Sequence, residues 1–327
     1  MSLENCKASD FPSGLFSPPK DGQDYLYGAK DKLNIVSKVA KTRFSIYLAY
    51  APSVKQNVII KAFPFKNERS SSAYRQEARF SDLEHRNIIR FFHCEKEKTI
   101  IAPDGECARV SLIIMEYAPY GNFFSLLHNP NVVFEDRLLR TYFRQLIEGL
   151  EYLQAQGVAH LDLRLENLLL GQNYVLKICD FIHSWKKDDP CVIGKGSKYL
   201  RAPELITRDC KDPMAADIFS AGILLFIMKC GGQYPHLENE EYEGVNLYEL
   251  MQNNPQAFWQ KHCQIQGREP NFFSDDFKEL FLAMTKAKPE ERAKIEDIKH
   301  SEWYKGPVYS NTELKKLMKK ALDPKNA

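Results

Sequence analysis

Apolar and polar residues alternate over residues 33–63, in the stretches LNIV, FSIYLAY and VIIKAF. A period of two places successive side chains on opposite faces of a sheet. The pattern therefore predicts three antiparallel strands, joined by turns at residues 40–43 and 52–57. A further hairpin is predicted over TIIAPDGECARVSLIIMEY, where PDGE separates two apolar runs. We expect both strands of this hairpin to lie at the sheet edge.

Helical periodicity dominates the later part of the chain. Residues 135–155 carry apolar side chains at helical spacing, which predicts an amphipathic helix with a buried face: Leu138, Leu139, Tyr142, Phe143, Leu146, Ile147 and Leu150. Near the C-terminus a second apolar stripe lies beneath lysines: Leu314, Leu317, Met318 and Ala321. We expect this basic helix to dock on the helical part of the chain rather than to bind a membrane or calmodulin.

Composition excludes several classes of protein. The chain has 327 residues, and its 44% hydrophobic content is enough for substantial cores. A net charge of +2 gives no support to nucleic-acid binding. The eight cysteines show neither CxxC spacing nor neighbouring histidines at metal-ligand spacing, so we expect reduced thiols in an intracellular protein, cytoplasmic or nuclear. No run approaches 18 apolar residues, so we expect no membrane span, and the N-terminus lacks the pattern of a secretion signal.

Two segments carry oxygen-bearing side chains that suit phosphoryl transfer. HLDLRLEN contains Asp162 and Asn167, and the later CDF contains Asp180. One carboxylate could accept a hydroxyl proton while the other two groups hold magnesium. HLDLRLEN resembles the HRDLxxxN motif of the protein kinase family, and DFI stands in place of DFG. APE at residues 202–204 and VIIK ending at Lys61 complete the set, in family order and at roughly family spacing across residues 30–305.

The chain thus resembles the eukaryotic protein kinases of serine/threonine type. The resemblance implies an α+β, bilobal fold, with a small antiparallel β-sheet lobe carrying one main helix and a larger, mostly helical lobe. We expect a flexible leader at residues 1–24, the small lobe at 25–116, the large lobe at 117–306 and a basic helical tail at 307–327.

The resemblance also implies roles for the motif residues. Asp162 would be the catalytic base, and Arg164 would bring positive charge to the transferring phosphate in place of the usual lysine. Asn167 and Asp180 would hold magnesium. Glu166 follows the serine/threonine pattern LKPEN, which indicates serine or threonine hydroxyls as acceptors.

Lys61 would orient the α- and β-phosphates of ATP through an ion pair with a helical glutamate. Glu77 in AYRQEARF is the expected partner. The interval to the following HRNII is one residue shorter than the family pattern, so Gln76 is an alternative for the position facing Lys61. Only a carboxylate satisfies a buried lysine, which favours Glu77.

The adenine of ATP would meet the end of the hairpin. By resemblance Met115 is the gatekeeper, and Glu116 and Ala118 offer backbone groups, so that their side chains have no required role. Other implied nucleotide contacts are Val39, Ile46, Ile59 and Leu169.

Six positions depart from the family pattern: Val39, Lys41, Phe44, Ile59, Leu161 and Ile182. The first three replace the glycines that let backbone approach phosphate, and Ile59 adds bulk beneath the adenine. Leu161 replaces the arginine that grips a phosphorylated activation loop, so we expect activity without loop phosphorylation. Ile182 removes a glycine pivot, which predicts a less mobile switch.

Basic residues near the glycine-free loop, residues 39–44, have two interpretations. The charges of Lys38, Lys41 and Arg43 could partly replace the lost backbone contacts to phosphate. Alternatively, these residues are solvated side chains on an exposed hairpin tip.

Four more residues have structural roles implied by the resemblance. His160 would pack beneath the catalytic loop, and Ser197 would hydrogen-bond to Asp162. Asp217 would be the buried helix-capping aspartate of the family. Arg292 would pair with Glu204 of the APE motif.

The motif matches and the six departures from the family pattern allow two functions. The first is a serine/threonine protein kinase that acts on a protein substrate with Mg-ATP, with weakened nucleotide binding. The alternative is a pseudokinase acting as scaffold or allosteric partner. The joint presence of the base and both magnesium ligands favours the enzyme, and the activation segment favours a protein over a small-molecule substrate. The sequence does not indicate regulatory partners.

Overall fold

The computed structural model describes two compact units of the chain. The first unit is Met1–Ser125 with Glu166–Ile182, and the second is Leu126–Leu165 with His183–Ala327. Within them the structure describes residues 33–41, 44–52, 54–65, 68–101, 105, 107–190, 196–207, 210–236 and 246–322. The leader predicted at residues 1–24 lies outside the described residues.

A five-stranded antiparallel sheet dominates the first unit, in the order β1-β2-β3-β5-β4. Its strands are β1 (Asn34–Lys41), β2 (Ser45–Ala51), β3 (Gln56–Pro64), β4 (Phe91–Ile101) and β5 (Cys107–Glu116). The three strands expected from the alternating pattern are therefore confirmed.

The expectation that both hairpin strands lie at the edge was wrong for β5. This strand pairs with β3 on one side and with β4 on the other. Its residues 110–115 (VSLIIM) are all buried, and Ser111 is the one polar side chain among them. Only β4 of the hairpin is an edge strand, and several of its residues are exposed.

Side chains on one face of this sheet form a core with a period of two. Tyr47, Ala49, Val58, Ile60 and Ile114 belong to it, each at most 7% exposed. The helix α1 (Glu68–Ala78) packs against β3 and β5.

Four short strands form two antiparallel pairs. In the second unit β6 (Val158–Ala159) pairs with β9 (Trp185–Lys186), and in the first unit β7 (Leu168–Leu170) pairs with β8 (Leu176–Ile178).

Helices make up most of the second unit. After α2 (Phe123–Leu127) come α3 (Asp136–Ala155), α4 (Pro203–Thr207), α5 (Pro213–Lys229), α6 (Leu247–Asn253), α7 (Pro255–Ile265), α8 (Asp275–Met284), α9 (Ile295–His300), α10 (Glu302–Lys305) and α11 (Asn311–Ala321). The predicted helix over residues 135–155 is confirmed as α3, with Glu135 as its N-cap. All seven apolar residues predicted for its inner face are buried.

Helix α5 is buried over most of its length and packs between α3 and α8. A Cβ at Gly222 would come within 2.9 Å of Thr285 and 3.0 Å of Met284, so this position depends on glycine for close packing. In the part of the chain that the structure describes, no helix is both long and apolar enough to cross a membrane.

Helix α11 packs within the second unit through its apolar stripe. Leu314 and Met318 are buried. Arg137 of α3 forms a 2.8 Å ion pair with Glu313, and its guanidinium lies 4.1 Å from the centre of the Tyr309 ring. The lysines of α11 remain exposed.

A buried ion pair anchors α4. Arg292 donates to both carboxylate oxygens of Glu204, at 2.7 and 3.1 Å, and also to the carbonyl oxygens of Ala215, Lys286 and Ala287. The pair implied by the resemblance thus forms, and it joins the APE segment to the turn after α8.

Replacing Arg292 with methionine should therefore destabilise the second unit by about 3–5 kcal/mol, since an unpaired carboxylate would stay buried. The matched control is Lys299→Met, which breaks an exposed pair with Glu151 at 2.8 Å and should cost about 1 kcal/mol or less. Urea unfolding of the two variants measures both. Equal losses would contradict a special role for the buried pair.

Candidate active site

Lys61 lies at the centre of a buried cluster of charges in the first unit. Its Nζ is 2.7 Å from Glu77 Oε2 and 3.0 Å from Asp180 Oδ1. The side chain of Glu77 is only 1% exposed. Gln76 instead accepts a hydrogen bond from Arg79 at the surface, so Glu77 is the residue of the two candidates that faces Lys61.

The two carboxylates decide the charge of this cluster. Burial alone would lower the pKa of Lys61, but the attraction of Asp180 and Glu77 outweighs it and raises that pKa above its ordinary value. Burial also raises the pKa of Glu77, with Lys61 acting against the rise. With Glu77 ionised the cluster has a net charge of −1, and with Glu77 protonated its net charge is 0. The cluster is therefore neutral or negative, which suits an additional cation.

The aromatic neighbours of Phe181 fix the position of Asp180. Phe181 is fully buried, with its ring 5.6 Å from that of Phe80 and 6.2 Å from that of Phe91. The backbone N–H of Phe181 donates to the carboxylate of Glu77. Asp180 itself has a left-handed φ of 68°. The local backbone is therefore held in the conformation that turns Asp180 toward Lys61.

Ile182, in the DFG glycine position, lies in the 3-10 turn Phe181–His183. Its φ is not in the left-handed region. The observed turn therefore places no demand for glycine at this position.

Asn167 lies beside the chain that carries Asp180. Its backbone carbonyl accepts from Cys179 N–H at 2.9 Å, at the start of the β7–β8 hairpin, and its side chain is buried. An amide oxygen and a carboxylate are ligands that suit magnesium. Together with the neutral or negative charge of the cluster, this set of donors fits a magnesium ion.

The residues implied for adenine lie on neighbouring strands. Ile59 of β3 is directly opposite Met115 of β5, and Met115 is 8% exposed. Leu169 is half-buried on β7. Ala118 is buried just after β5.

The side chain of Glu116 has a role that the sequence did not indicate. Its carboxylate forms a 2.8 Å ion pair with Lys177 and accepts from the backbone N–H of Arg90 at 3.2 Å. The ion pair ties β5 to the β7–β8 hairpin, so the side chain has a structural role beside the backbone contact expected for adenine. Lys177, which lies opposite Leu169 in the β7–β8 pair, was not predicted.

Phe44 is the buried member of the glycine-free loop. It is 4% exposed, and its ring lies 4.5 Å from that of Phe63 and 5.9 Å from Nζ of Lys61. Val39 lies at an irregularity in β1, and Ile46 is opposite Lys61 on the neighbouring strand. An aromatic ring therefore lies beside the cation expected to contact phosphate.

The basic residues of the loop are only partly described. Nζ of Lys38 lies 5.7 Å from the centre of the Tyr47 ring. The side chain of Lys41, and Arg43, lie outside the described residues. Their two interpretations stay open as predictions.

In the second unit Asp162 and Arg164 converge on one hydroxyl. Ser197 Oγ donates to Asp162 Oδ1 at 3.1 Å, and Arg164 donates to the same Oγ at 3.1 Å. The hydrogen bond expected between Ser197 and Asp162 is thus present. It shows that the Asp162 carboxylate accepts from an alcohol at hydrogen-bonding distance.

Asp217 of α5 supports the backbone that leads to Asp162. Its two oxygens accept from His160 N–H at 2.6 Å and from Leu161 N–H at 2.8 Å. Burial raises the pKa of Asp217 to about 6, and His160 and the two amides act against the rise. Leu161 has a left-handed φ of 62°, a conformation that a non-glycine residue adopts at a cost. These hydrogen bonds offset that cost.

The family model and the relatives that match this chain all belong to the protein kinases. The family model for the protein kinase domain matches residues 43–304. CBL-interacting protein kinase 11 of Oryza sativa subsp. japonica is 30% identical over 236 residues, 71% of this chain and 42% of that protein. CBL-interacting serine/threonine-protein kinase 14 of Arabidopsis thaliana is 29% identical over 295 residues, 88% of this chain and 61% of that protein.

A mammalian relative gives a similar result. Serine/threonine-protein kinase STK11 of Rattus norvegicus is 30% identical over 233 residues, 68% of this chain and 47% of that protein. The chain therefore spans between about two fifths and three fifths of the length of these relatives.

The buried ion pair predicts unequal effects at adjacent positions of α1. Glu77→Gln should lower the free energy of unfolding by about 2–3 kcal/mol, because Lys61 loses its buried carboxylate partner and keeps only the partly exposed Asp180. Gln76→Ala, the matched control at the surface, should stay within about 0.5 kcal/mol of the wild type. Urea unfolding checks both values, and a larger loss in the Gln76 variant would contradict the assignment.

Proposed function

Because the chain belongs to the protein kinase family, we propose that it is a serine/threonine protein kinase that uses Mg-ATP and a protein substrate. The observation that carries the proposal is the pairing of buried Lys61 with Glu77 and Asp180. Burying a lysine is costly, and a structural role would require only one carboxylate partner. The serine/threonine type follows from the relatives and from Glu166 in the motif.

In the first unit Lys61 would bind the α- and β-phosphates of ATP. Glu77 holds the ammonium in place, so little ordering is needed when phosphate arrives. The Asn167 amide oxygen and the Asp180 carboxylate would hold magnesium. When bound, magnesium neutralises negative charge on the phosphates.

In the second unit Asp162 would orient the substrate hydroxyl and accept its proton. The hydroxyl oxygen forms a bond to the γ-phosphorus as the bond from that phosphorus to the departing ADP oxygen breaks. The Ser197 hydroxyl already donates to Asp162, which illustrates the contact that a substrate hydroxyl would make. The guanidinium of Arg164 would stabilise negative charge on the transferring group.

Weakened nucleotide binding is part of the proposal. The Phe44 ring lies beside Lys61 where the family pattern has glycine, and Ile59 adds bulk on β3. Phosphate would approach Lys61 only after the ring moves. Removal of the ring from its contact with Phe63 costs free energy, which subtracts from the affinity for ATP.

The position of the Phe44 ring beside Lys61 also favours a second candidate function. A pseudokinase scaffold would keep the fold and the Lys61 ion pairs while Phe44 blocks nucleotide. It would have no need for Asp162, Asn167 and Asp180 together. Because all three are present, the enzyme is the first proposal.

Two smaller proposals accompany the kinase. Leu161 is buried, so the usual arginine receptor for a phosphorylated loop is replaced by an apolar side chain, and activity would not require that phosphorylation. The six cysteines among the described residues are all free thiols, which supports an intracellular location, cytoplasmic or nuclear.

A phosphotransfer assay tests the proposed role of Asp162. With radiolabelled ATP and a mixed protein substrate, Asp162→Asn should lower kcat by about 100-fold to 10,000-fold, since the general base is lost. Asp188→Asn is the control, because this exposed aspartate has a left-handed φ that asparagine tolerates. No transfer by the wild type would contradict the enzyme and favour the pseudokinase. Equal transfer rates in the two variants would contradict the role of Asp162 as the base.

The ring of Phe44 gives a separate prediction. Phe44→Gly should lower the KM for ATP by about threefold to tenfold, since the phosphate no longer has to displace the ring. The same change should lower Tm, because the ring is buried against Phe63. A steady-state titration of ATP with both proteins measures KM. An unchanged or higher KM would show that Phe44 does not compete with phosphate.

A further inference from the structure

The turn formed by residues 196–201 is held close to Asp162. The carbonyl of Ser197 accepts from Leu200 N–H at 3.0 Å and from Arg201 N–H at 3.1 Å. Gly196, with a φ of 94°, lies so close to the catalytic loop that a Cβ there would be 2.8 Å from the carbonyl oxygen of Leu161. The turn therefore has a fixed position beside the carboxylate proposed as the base.

Anchors on the other side of the turn hold it against the helices. Ser220 of α5 donates to the carbonyl of Leu200 at 2.8 Å, and Leu200 is buried. A few residues later Glu204 is fixed by Arg292. A segment held at both ends keeps its outward side chains in one place, as recognition of a substrate requires.

Two side chains of this turn are basic. Lys198 is exposed and Arg201 is half-buried. The Lys198 ammonium lies 5.0 Å from the centre of the Tyr199 ring, which in turn contacts the partly exposed ring of Tyr234 at 5.6 Å. The aromatic pair gives the lysine stem an apolar surface while its charge faces water.

The turn brings positive charge to the segment that contacts Asp162. In the second unit, Asp162 contributes one negative charge, and Arg164, Lys198 and Arg201 contribute three positive charges. An extended peptide advances about 3.3 Å per residue. Because the turn contacts Asp162 through Ser197 at 3.1 Å, substrate residues next to the reacting hydroxyl would pass along the turn.

We propose that Lys198 and Arg201 select protein substrates with an acidic residue within one or two positions of the phosphorylated serine or threonine. This inference rests on the proposed kinase function. It assigns the substrate class to the charge of the turn, and the two basic side chains determine specificity rather than the chemical step. Complementary charge at partly exposed positions discriminates among substrates and weakens as salt is added.

A set of matched peptides tests the proposal. Each peptide has one serine in a neutral background and either Asp, Leu or Arg at one position from three before to three after the serine. The Asp peptide should exceed the Leu peptide in kcat/KM by about threefold to tenfold at one of the four nearest positions, and the Arg peptide should be the poorest. The preference should shrink at high salt.

Lys198→Glu should reverse this order, so that the Arg peptide becomes better than the Asp peptide. Lys198 is exposed, so this change leaves the fold intact, and Arg201→Gln is a second variant that should reduce the preference. The control is Lys315→Glu, an exposed change on α11 that should leave the ratio of the peptides unchanged. Activity without any acidic preference, or a preference kept in Lys198→Glu, would overturn the proposal.

A binding measurement separates this inference from the kinase itself. If no peptide is phosphorylated, the proposed function fails, and fluorescence anisotropy with labelled Asp and Arg peptides still decides the inference. Stronger binding of the Asp peptide that is lost in Lys198→Glu would support selection by the turn. Equal binding of both peptides would refute it.

Discussion

The ion pair between Lys61 and Glu77 is the constraint on which the first unit depends. A buried ammonium without a partner would cost several kcal/mol, so β3 and α1 are stable together only when the carboxylate of α1 faces Lys61. The sheet core on β2, β3 and β5 and the contact of Phe63 with Tyr74 at 5.7 Å fix that geometry. Asp180 joins the same lysine because Phe181 is anchored by aromatic rings. One cation thereby orders three segments that are far apart in the chain.

The second unit contains two buried charged side chains that are satisfied by their partners. Asp217 is buried and satisfies the amides of two residues next to Asp162, and Arg292 is buried and satisfies Glu204. In both cases a desolvated charge is stable only with its partners in place. The loop that carries Asp162 and the APE segment are therefore fixed by requirements of folding, and a fixed backbone of this kind would suit the proposed chemistry.

Much of this organisation could be predicted from the sequence. Alternation of apolar residues gave β1, β2 and β3, and helical spacing gave α3 with its buried face. Short motifs indicated Lys61, Asp162, Asn167 and Asp180, because these residue types in that order suit phosphoryl transfer. Patterns of this kind depend only on residues that are close together along the chain.

Features that depend on partners distant in sequence could not be predicted. The inner position of β5 follows from its pairing with β3, and an apolar run reads alike in inner and edge strands. The Glu116–Lys177 ion pair joins residues from separate motifs. Loss of the loop glycines was visible, but the direction of the Phe44 ring depends on its contact with Phe63. The choice between Gln76 and Glu77 likewise required the helix to be placed against the sheet.

Lys61, Asn167 and Asp180 are proposed to bind a magnesium–nucleotide complex. Calorimetric titration of the protein with ATP, in the presence and absence of magnesium, measures this binding. We expect binding that strengthens at least tenfold with magnesium in the wild type, a difference of about 1.4 kcal/mol, and that loses this dependence in Asp180→Asn. No binding at millimolar ATP, or equal affinity with and without magnesium, would contradict it.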